Sequence, residues 1–411
     1  MIKKILLLFL FFPLVLFTQT PKVLLGIDLL ERDNFTLLEN KRIALITNQT
    51  GLNSRLVSTV DLLSRAENLQ LVSVYSPEHG FHGLNTAGES VEDFTDSTTG
   101  IKYYSLYGKR TKPTREMLTN IDAIVYDIQD IGCRAYTYIT TLGLAMEAAA
   151  ESGKEFIILD RPNPLGGLRI EGNIVEDGFT SFVSPFKIPY VYGLTCGELA
   201  TLINEEGMLK DSVKCKLHIV KMVGWERWMH FYDTGLIWVP SSTNVPYSST
   251  PFYLVGSGIL GELVTISIGI SYTLPFQTFA AEWIDPDTLS ARMNDLKLKG
   301  VRFRPIIYRT NYGIWIDKIL KGVQIHITDY DKVNLMELQF YFMEVHNNLY
   351  PDKKIFDLTD STRIKMFDKV MGTDRVRILF SRDYKVDAIK DYLRKDLTSF
   401  RNLSGKYFLY N

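Results

Sequence analysis

The chain has 411 residues, of which 46% are hydrophobic. This length exceeds one ordinary hydrophobic core and predicts two domains. Lys and Arg total 46 and Asp and Glu total 47, giving a formal net charge of -1. Such a balance provides no overall field to attract nucleic acid or an anionic membrane, so neither is predicted as a partner. A neutral or mixed substrate fits the composition better.

The N-terminus has the pattern of an export signal. Basic Met1–Lys4 precedes the apolar run Ile5–Phe17, which only Pro13 interrupts, and polar Thr18–Thr20 follows. The run is short for a membrane span but suits a signal peptide, which we predict over residues 1–20. An uncleaved membrane anchor is the alternative. The expected location is periplasmic or secreted, without stable membrane insertion after cleavage.

From residue 21 to about 250, short β-rich runs alternate with helix-like stretches. Continuous apolar strands separated by helices indicate a mostly parallel sheet covered on both faces, which is a Rossmann-like α/β architecture. No Gly-x-Gly-x-x-Gly follows a strand, so a dinucleotide cofactor is not predicted. The predicted strands are Arg42–Thr47, Leu69–Tyr75, Ala123–Tyr126 and Phe156–Leu159, and a helix is predicted over Thr140–Glu151.

Beyond residue 250 the pattern changes to strands and longer helices without regular alternation. We therefore predict a smaller α+β C-terminal domain over residues 251–411. Its predicted strands are Val264–Ile270, Val301–Tyr308 and Gly322–Thr328, and its predicted helices are Leu335–Leu349, Thr362–Met371 and Val386–Arg401.

The loop after the second predicted strand contains the leading catalytic candidate, Glu78. It follows Pro77, and Gly80 and Gly83 allow a tight turn that would direct it into a cleft. An acid beside aromatic and glycine residues suits general acid catalysis, because desolvation helps a carboxyl group to keep its proton. The alternative is structural: Glu78 caps the following segment or pairs with Arg134.

A second group of charged and aromatic residues follows the third predicted strand. Asp127, Asp130 and Arg134 are expected to form a charged cluster. One of the acids is expected in a structural ion pair, and the other is a candidate for the second carboxylate that glycoside hydrolysis usually needs. Tyr136 and Tyr138 suit stacking on a sugar ring or packing in the core.

The sequence does not predict a metal site or any cofactor. His79 and His82 lie near Glu78, but their spacing is loose and no distant His or Cys pattern completes a ligand set. Cys133 as a nucleophile lacks a defined His partner. The cysteines match neither a disulfide framework nor a zinc pattern and are predicted to be small buried residues; they are Cys133, Cys196 and Cys215.

Three long motifs closely resemble the exo-β-N-acetylmuramidase NamZ family, formerly a domain of unknown function (DUF1343). They are Pro77–Gly83, Tyr126–Thr140 and Asp160–Gly167. The resemblance implies an exported enzyme that removes N-acetylmuramic acid, or a related amino sugar, from non-reducing ends of peptidoglycan fragments. It also implies an active site between a Rossmann-like domain and a smaller C-terminal domain, with Glu78 as the catalytic residue. This agrees with the prediction from the loop itself that Glu78 is the general acid.

Together, the motifs and the resemblance give a set of predicted substrate-binding residues. The segment Ser267–Tyr272 departs from the family pattern, since Ile268 and Ile270 stand where the family has Glu and Arg. A non-hydrolytic muropeptide-binding protein on the same scaffold is therefore the alternative hypothesis. The predicted binding residues are His79, His82, Arg134, Tyr136, Tyr138, Asp160, Arg161, Asn163, Tyr192 and Glu262.

Overall fold

The structure, a computed structural model, describes residues 22–411, so the predicted signal peptide lies outside the described residues. The first sheet has seven strands in the order β3-β4-β2-β1-β5-β6-β7. All neighbouring strands pair in parallel except β3 with β4. The strands are β1 (Arg42–Thr47), β2 (Gln70–Ser76), β3 (Phe94–Thr95), β4 (Lys102–Ser105), β5 (Ala123–Asp127), β6 (Glu155–Leu159) and β7 (Lys216–Val220).

The central strands are buried on both faces, because their side chains form continuous apolar runs. Strand β1 has β2 on one side and β5 on the other, so the strand order reverses there. Loops at the carboxyl ends of β1, β2 and β5 therefore gather at one edge, where ligands of open α/β sheets usually bind. The helices are α1 (Gly26–Arg32), α2 (Thr59–Arg65), α3 (Tyr138–Glu151) and α4 (Cys196–Glu205).

The second unit is built on a three-stranded antiparallel sheet in the order β8-β10-β9. Its helices α6 and α7 contact each other, and α6 packs against β9 and β10. The elements are α5 (Thr250–Gly261), β8 (Thr278–Ala281), α6 (Pro286–Asp295), β9 (Val301–Arg309), β10 (Ile319–Ile327), α7 (Leu335–Leu349), α8 (Ser361–Met371), α9 (Arg375–Phe380), α10 (Asp387–Arg394) and α11 (Leu397–Ser404).

This architecture confirms the predicted fold class: a Rossmann-like, mostly parallel α/β sheet and a smaller α+β unit. The predicted domain boundary near residue 250 stays a prediction, and it coincides with the start of α5. Within residues 22–411, no helix is both long and apolar enough to cross a membrane.

Two element predictions in the second unit are wrong. Val264–Ile270 is irregular, because Val264 (φ 59°) and Gly269 (φ 86°) take left-handed conformations that interrupt an extended chain. Only an isolated pairing of Ser267 with Ala280 remains of the predicted strand. The helix predicted over Val386–Arg401 is divided into α10 and α11.

Candidate active site

The Glu78 side chain is buried and held by hydrogen bonds to both carboxylate oxygens. His79 (φ 72°) and Gly80 (φ 76°) adopt left-handed conformations, so the chain turns sharply after β2. Glu78 is only 8% exposed. The Thr137 hydroxyl donates to its Oε2 at 2.5 Å, and the Gly88 backbone N–H donates to its Oε1 at 2.9 Å. The carboxylate is thus fixed in position by two separate segments of the chain.

A tyrosine cluster adjoins this carboxylate. The Tyr136 hydroxyl donates to Ser241 Oγ at 2.9 Å, and the Tyr138 hydroxyl donates to the Ser241 carbonyl at 2.5 Å. The two rings meet edge to face with centroids 4.7 Å apart. Burial, the charge of Glu78 and a hydrogen bond to it raise the pKa of Tyr107 to about 12. Tyr138 is fully buried and packs in the core, whereas Tyr136 is half-buried.

Glu262 contributes a second carboxylate from the other unit. It follows α5 directly and is half-buried. Burial raises its pKa, the charge of Arg363 opposes this rise, and the negative charge of Glu78 adds to it. Glu78 and Glu262 come from opposite sides of the predicted domain boundary.

Asp127 is a fully buried carboxylate whose hydrogen-bonding capacity is used within the protein. Arg161 donates to its Oδ1 from Nε at 2.6 Å and to its Oδ2 from Nη2 at 2.9 Å. The Thr59 hydroxyl donates to Oδ2 at 2.5 Å. These groups fill the edge where the strand order reverses and leave a cavity of about 30 Å³ there. Ligand sites are usually tenfold larger or more, and the contacts of Asp127 and Arg161 are those of a structural pair. The predicted catalytic role of Asp127 and the predicted binding role of Arg161 stay predictions.

Asp130 is also buried but is only partly satisfied. The Tyr192 hydroxyl and the Gly132 backbone N–H both donate to its Oδ2, the latter at 2.8 Å. Its Oδ1 has no hydrogen-bond partner among the described residues. Burial raises the pKa of Asp130 to about 6. The Tyr192 and Asp130 side chains thus hydrogen-bond to each other. The predicted catalytic role of Asp130 and the predicted binding role of Tyr192 stay predictions.

The predicted cluster of Arg134 with Asp127 and Asp130 is wrong. The Arg134 guanidinium is fully buried and donates to backbone carbonyls rather than to a carboxylate. Its predicted alternative, a pair with Glu78, does not form either. Sequence could not reveal this arrangement because backbone carbonyls have no residue signature. The carbonyls belong to Asn173, Ile188, Val370 and Met371, at 2.8, 2.7, 3.1 and 2.8 Å respectively.

Two further predicted binding residues at the end of β6 bind protein groups. The Asp160 carboxylate accepts from the Thr195 hydroxyl at 2.7 Å and from the Gly197 N–H at 2.9 Å. The Asn163 side chain donates to the Leu194 carbonyl at 2.9 Å. Both residues are buried and fix the chain that leads into α4. Their predicted binding roles remain predictions.

The two histidines of the Glu78 loop lie in different surroundings. His79 is buried, and its Nδ1 donates to the Asn85 carbonyl at 2.8 Å. His82 is exposed and meets Phe81 edge to face at 4.9 Å. The structure thus gives His79 a role in holding the loop, while the ring of His82 remains accessible. The cysteines are unpaired and buried, as predicted; they are Cys133, Cys196 and Cys215.

Sequence reasoning missed three groups that contact Glu78. Thr137 lies inside a motif that was singled out for its neighbours Arg134, Tyr136 and Tyr138 rather than for its own hydroxyl. Gly88 acts through its backbone, and Tyr107 lies in a loop without a motif. No sequence signal distinguishes these two positions.

Two family models together match most of the chain. The model described as "Exo-beta-N-acetylmuramidase NamZ, N-terminal" matches residues 43–249, and its C-terminal counterpart matches residues 253–410. The chain belongs to the NamZ family. It is 40% identical over 392 residues to the peptidoglycan β-N-acetylmuramidase NamZ of Bacillus subtilis, covering 95% of this chain and 92% of the relative. Membership of the NamZ family and the glycoside hydrolase class are thus confirmed.

Two crystal structures of DUF1343 family proteins from Bacteroides fragilis resemble this one. The first has 52% sequence identity and a TM-score of 0.91, covering 95% of this chain and 100% of the other. The second has 26% identity and a TM-score of 0.76, covering 95% and 99%. The two-unit arrangement described above is therefore shared with experimentally determined relatives.

Proposed function

We propose that this NamZ family member is an exported exo-acting glycoside hydrolase. It removes N-acetylmuramic acid, or a related amino sugar, from non-reducing ends of peptidoglycan fragments. The similarity to the B. subtilis peptidoglycan β-N-acetylmuramidase supports the substrate class. The observation that carries the proposal is the buried Glu78 carboxylate, which accepts hydrogen bonds at both oxygens, from Gly88 and Thr137.

The contacts favour a division of roles between these two acids. Both oxygens of Glu78 accept hydrogen bonds, so the protein fixes the orientation of this carboxylate. Glu262 has a raised pKa and thus keeps its proton to higher pH. Neighbouring acids with different environments commonly divide into a proton donor and an ionised partner. We infer that Glu262 donates the proton to the glycosidic oxygen and that Glu78 is the second catalytic carboxylate. The sequence-based prediction of Glu78 as the general acid is the alternative.

The first experiment tests the activity and the importance of Glu78. Release of 4-nitrophenol is measured from β-N-acetylmuramoyl and β-N-acetylglucosaminyl nitrophenyl glycosides, with wild type and Glu78→Gln. We expect wild type to cleave the muramoyl substrate and Glu78→Gln to lose turnover. Glu147→Gln is a matched control, since Glu147 is a buried glutamate that also accepts from a backbone N–H, at 2.9 Å from Lys210.

A binding measurement beside this assay addresses the alternative of a non-hydrolytic protein. Saturable calorimetric binding of muropeptides without turnover would be the behaviour of a binding protein and would overturn the hydrolase proposal. Equal losses in Glu78→Gln and Glu147→Gln would show that the first variant reports on folding rather than on catalysis. Thermal unfolding of both variants accompanies the assay.

The second experiment assigns the proton donor. A good leaving group such as 4-nitrophenol needs little protonation, whereas phenol needs more, so a missing acid is felt mainly with the phenyl glycoside. Glu262→Gln is expected to slow the phenyl substrate much more than the nitrophenyl one, and Glu78→Gln is expected to slow both equally. The reverse pattern would restore Glu78 as the general acid.

Export is part of the proposal and depends on residues 1–20. Expression of the full chain in a bacterium, followed by N-terminal sequencing of the mature product, tests it. A product that begins near residue 21 in the periplasm or medium is expected. An intact N-terminus in the membrane fraction would instead indicate the uncleaved anchor.

A further inference from the structure

The hairpin of β9 and β10 extends past the helices that cover its sheet. Arg309 pairs with Ile319 and Ile307 pairs with Lys321, so these four side chains lie on one face of the hairpin. That same face carries buried Phe303 farther along β9. Beyond the helix layer the face therefore continues into solvent with alternating isoleucine and basic side chains.

The exposed part of this hairpin is unusually apolar. Its opposite face is closed, because Tyr308 and Leu320 are buried against Trp315 and the neighbouring segment. The large apolar residues that are more than half exposed in the hairpin and its tip are Ile307, Tyr312, Ile314, Ile316 and Ile319. Several exposed apolar side chains within one short segment of a folded protein often mark an interaction site.

The charge of the hairpin differs from that of the whole chain. Over residues 301–327 only Asp317 is acidic, and among the exposed basic residues nearby, Lys318 is paired with Glu282 at 2.7 Å. The balanced total of the protein therefore conceals a local positive excess. Of the basic residues of this segment, Arg309, Lys318 and Lys321 lie in its exposed part, whereas Arg302 and Arg304 lie at the opposite end of β9.

We propose that the tip of this hairpin, residues 307–319 with Lys321, binds an anionic lipid surface. Isoleucine and tyrosine side chains enter the headgroup region, while lysine and arginine extend to anionic headgroups. The charge of the hairpin favours a membrane over a second copy of the chain. Face-to-face pairing of two such hairpins would bring Arg309 and Lys321 of each copy together, whereas an anionic surface attracts both of these side chains.

This binding is peripheral and needs no membrane-spanning segment. It would hold the mature protein at the membrane surface through a segment that contains none of the predicted site residues. The attraction is partly electrostatic, so binding falls as the salt concentration rises.

The test is co-sedimentation of the mature protein, residues 22–411, with lipid vesicles. Vesicles of phosphatidylglycerol and phosphatidylcholine are compared with vesicles of phosphatidylcholine alone. We expect binding to the first and little binding to the second. The double variant R309Q/K321Q should bind about fivefold less tightly for each charge removed, and I314S/I316S should lose binding through the apolar contribution.

Matched controls lie outside the hairpin. Lys297 and Lys299 are exposed at the far end of β9, and Leu358 is an exposed apolar residue elsewhere. K297Q/K299Q and Leu358→Ser should bind vesicles like wild type. All variants should keep the melting temperature of wild type, because the changed side chains face solvent.

Two outcomes would overturn the proposal. The first is absence of wild-type binding to anionic vesicles at low salt. The second is equal loss of binding in the hairpin and control variants. Size-exclusion chromatography tests whether a second copy of the chain binds this surface instead. If wild type is a dimer that does not bind vesicles, and I314S/I316S is a monomer, the surface is a dimer interface.

Discussion

At the scale of single residues, Glu78 is fixed by donors that come from distant parts of the sequence. Thr137 stands at the N-cap position of α3, where a threonine hydroxyl usually bonds the first helical N–H groups. Here it makes no such cap, and it donates to Glu78 instead. The helix thus lacks a stabilising cap, and the hydroxyl instead orients the Glu78 carboxylate, as the proposed catalytic role of Glu78 requires.

The first prediction concerns this hydroxyl. Thr137→Val keeps the shape of the side chain but removes the donor, and a hydrogen bond to a charged group contributes about 1.5–3 kcal/mol. We expect kcat on the nitrophenyl muramoyl glycoside to fall about tenfold to a hundredfold, with little change in KM or melting temperature. Thr137→Ser should recover most of the rate. A rise in KM with unchanged kcat would contradict a positioning role.

At the scale of elements, polar residues at strand ends join neighbouring parts of the sheet. Asp127 ends β5, Arg161 follows β6, and Thr59 begins α2, so their mutual hydrogen bonds connect three elements. Removing one partner from such a buried pair usually costs about 3–5 kcal/mol. The pair therefore serves the stability of the sheet edge next to the site.

Much of this level was predictable from the sequence. The strands β1, β2, β5 and β6 were found within one or two residues, because buried parallel strands are continuous apolar runs. The meeting of acids at one edge followed from parallel strand direction. The partner of each acid could not be predicted. Arg161 reaches Asp127 only because β5 and β6 are adjacent, and strand order is not a local property.

The second prediction uses the buried Asp130. Its folded pKa of about 6 lies above the ordinary value for an unfolded aspartate, so the folded state binds more protons between pH 4 and 6. The stability that this group contributes is present below about pH 4 and is lost as pH rises through 6. Asp130→Asn does not titrate, and its amide oxygen can still accept from Tyr192. Relative to wild type, the variant should gain on the order of 2–3 kcal/mol between pH 4 and 7.

Urea unfolding of wild type and Asp130→Asn at pH 4.5, 5.5 and 7 measures this difference. A difference in unfolding free energy that does not change with pH would contradict the raised pKa. Turnover of the same variant addresses its predicted catalytic role separately. A loss of turnover with an intact fold would support the predicted catalytic role of Asp130.

At the scale of the whole molecule, the two units are joined by many hydrogen bonds that cross the predicted domain boundary. The C-terminal residues return to the first unit, where the Tyr410 hydroxyl donates to Asp160 at 2.6 Å and the Leu409 N–H donates to Glu198 at 2.9 Å. Arg134 of the first unit reaches the last carbonyls of α8 in the second, at Val370 and Met371. These contacts hold the two units together across the predicted domain boundary.

The role of Arg134 illustrates what sequence alone could not supply. An arginine beside two aspartates predicts an ion pair, yet its partners are carbonyls up to 237 residues away. A guanidinium at a helix C-terminus is favourable because it satisfies free carbonyls and the negative end of the helix dipole. That choice depends on how the two units pack, which no local pattern encodes.

The last prediction tests whether Arg134 joins the units or binds substrate. Arg134→Met keeps the length of the side chain but leaves buried carbonyls without donors, so we expect the free energy of unfolding in urea to fall by at least about 3 kcal/mol. Arg134→Lys, which keeps the charge but has fewer donors, should lose less. At low temperature, where Arg134→Met remains folded, KM for the muramoyl glycoside should match wild type. A large rise in KM with unchanged stability would instead support the predicted binding role, because a structural arginine acts on substrate only through the fold it maintains.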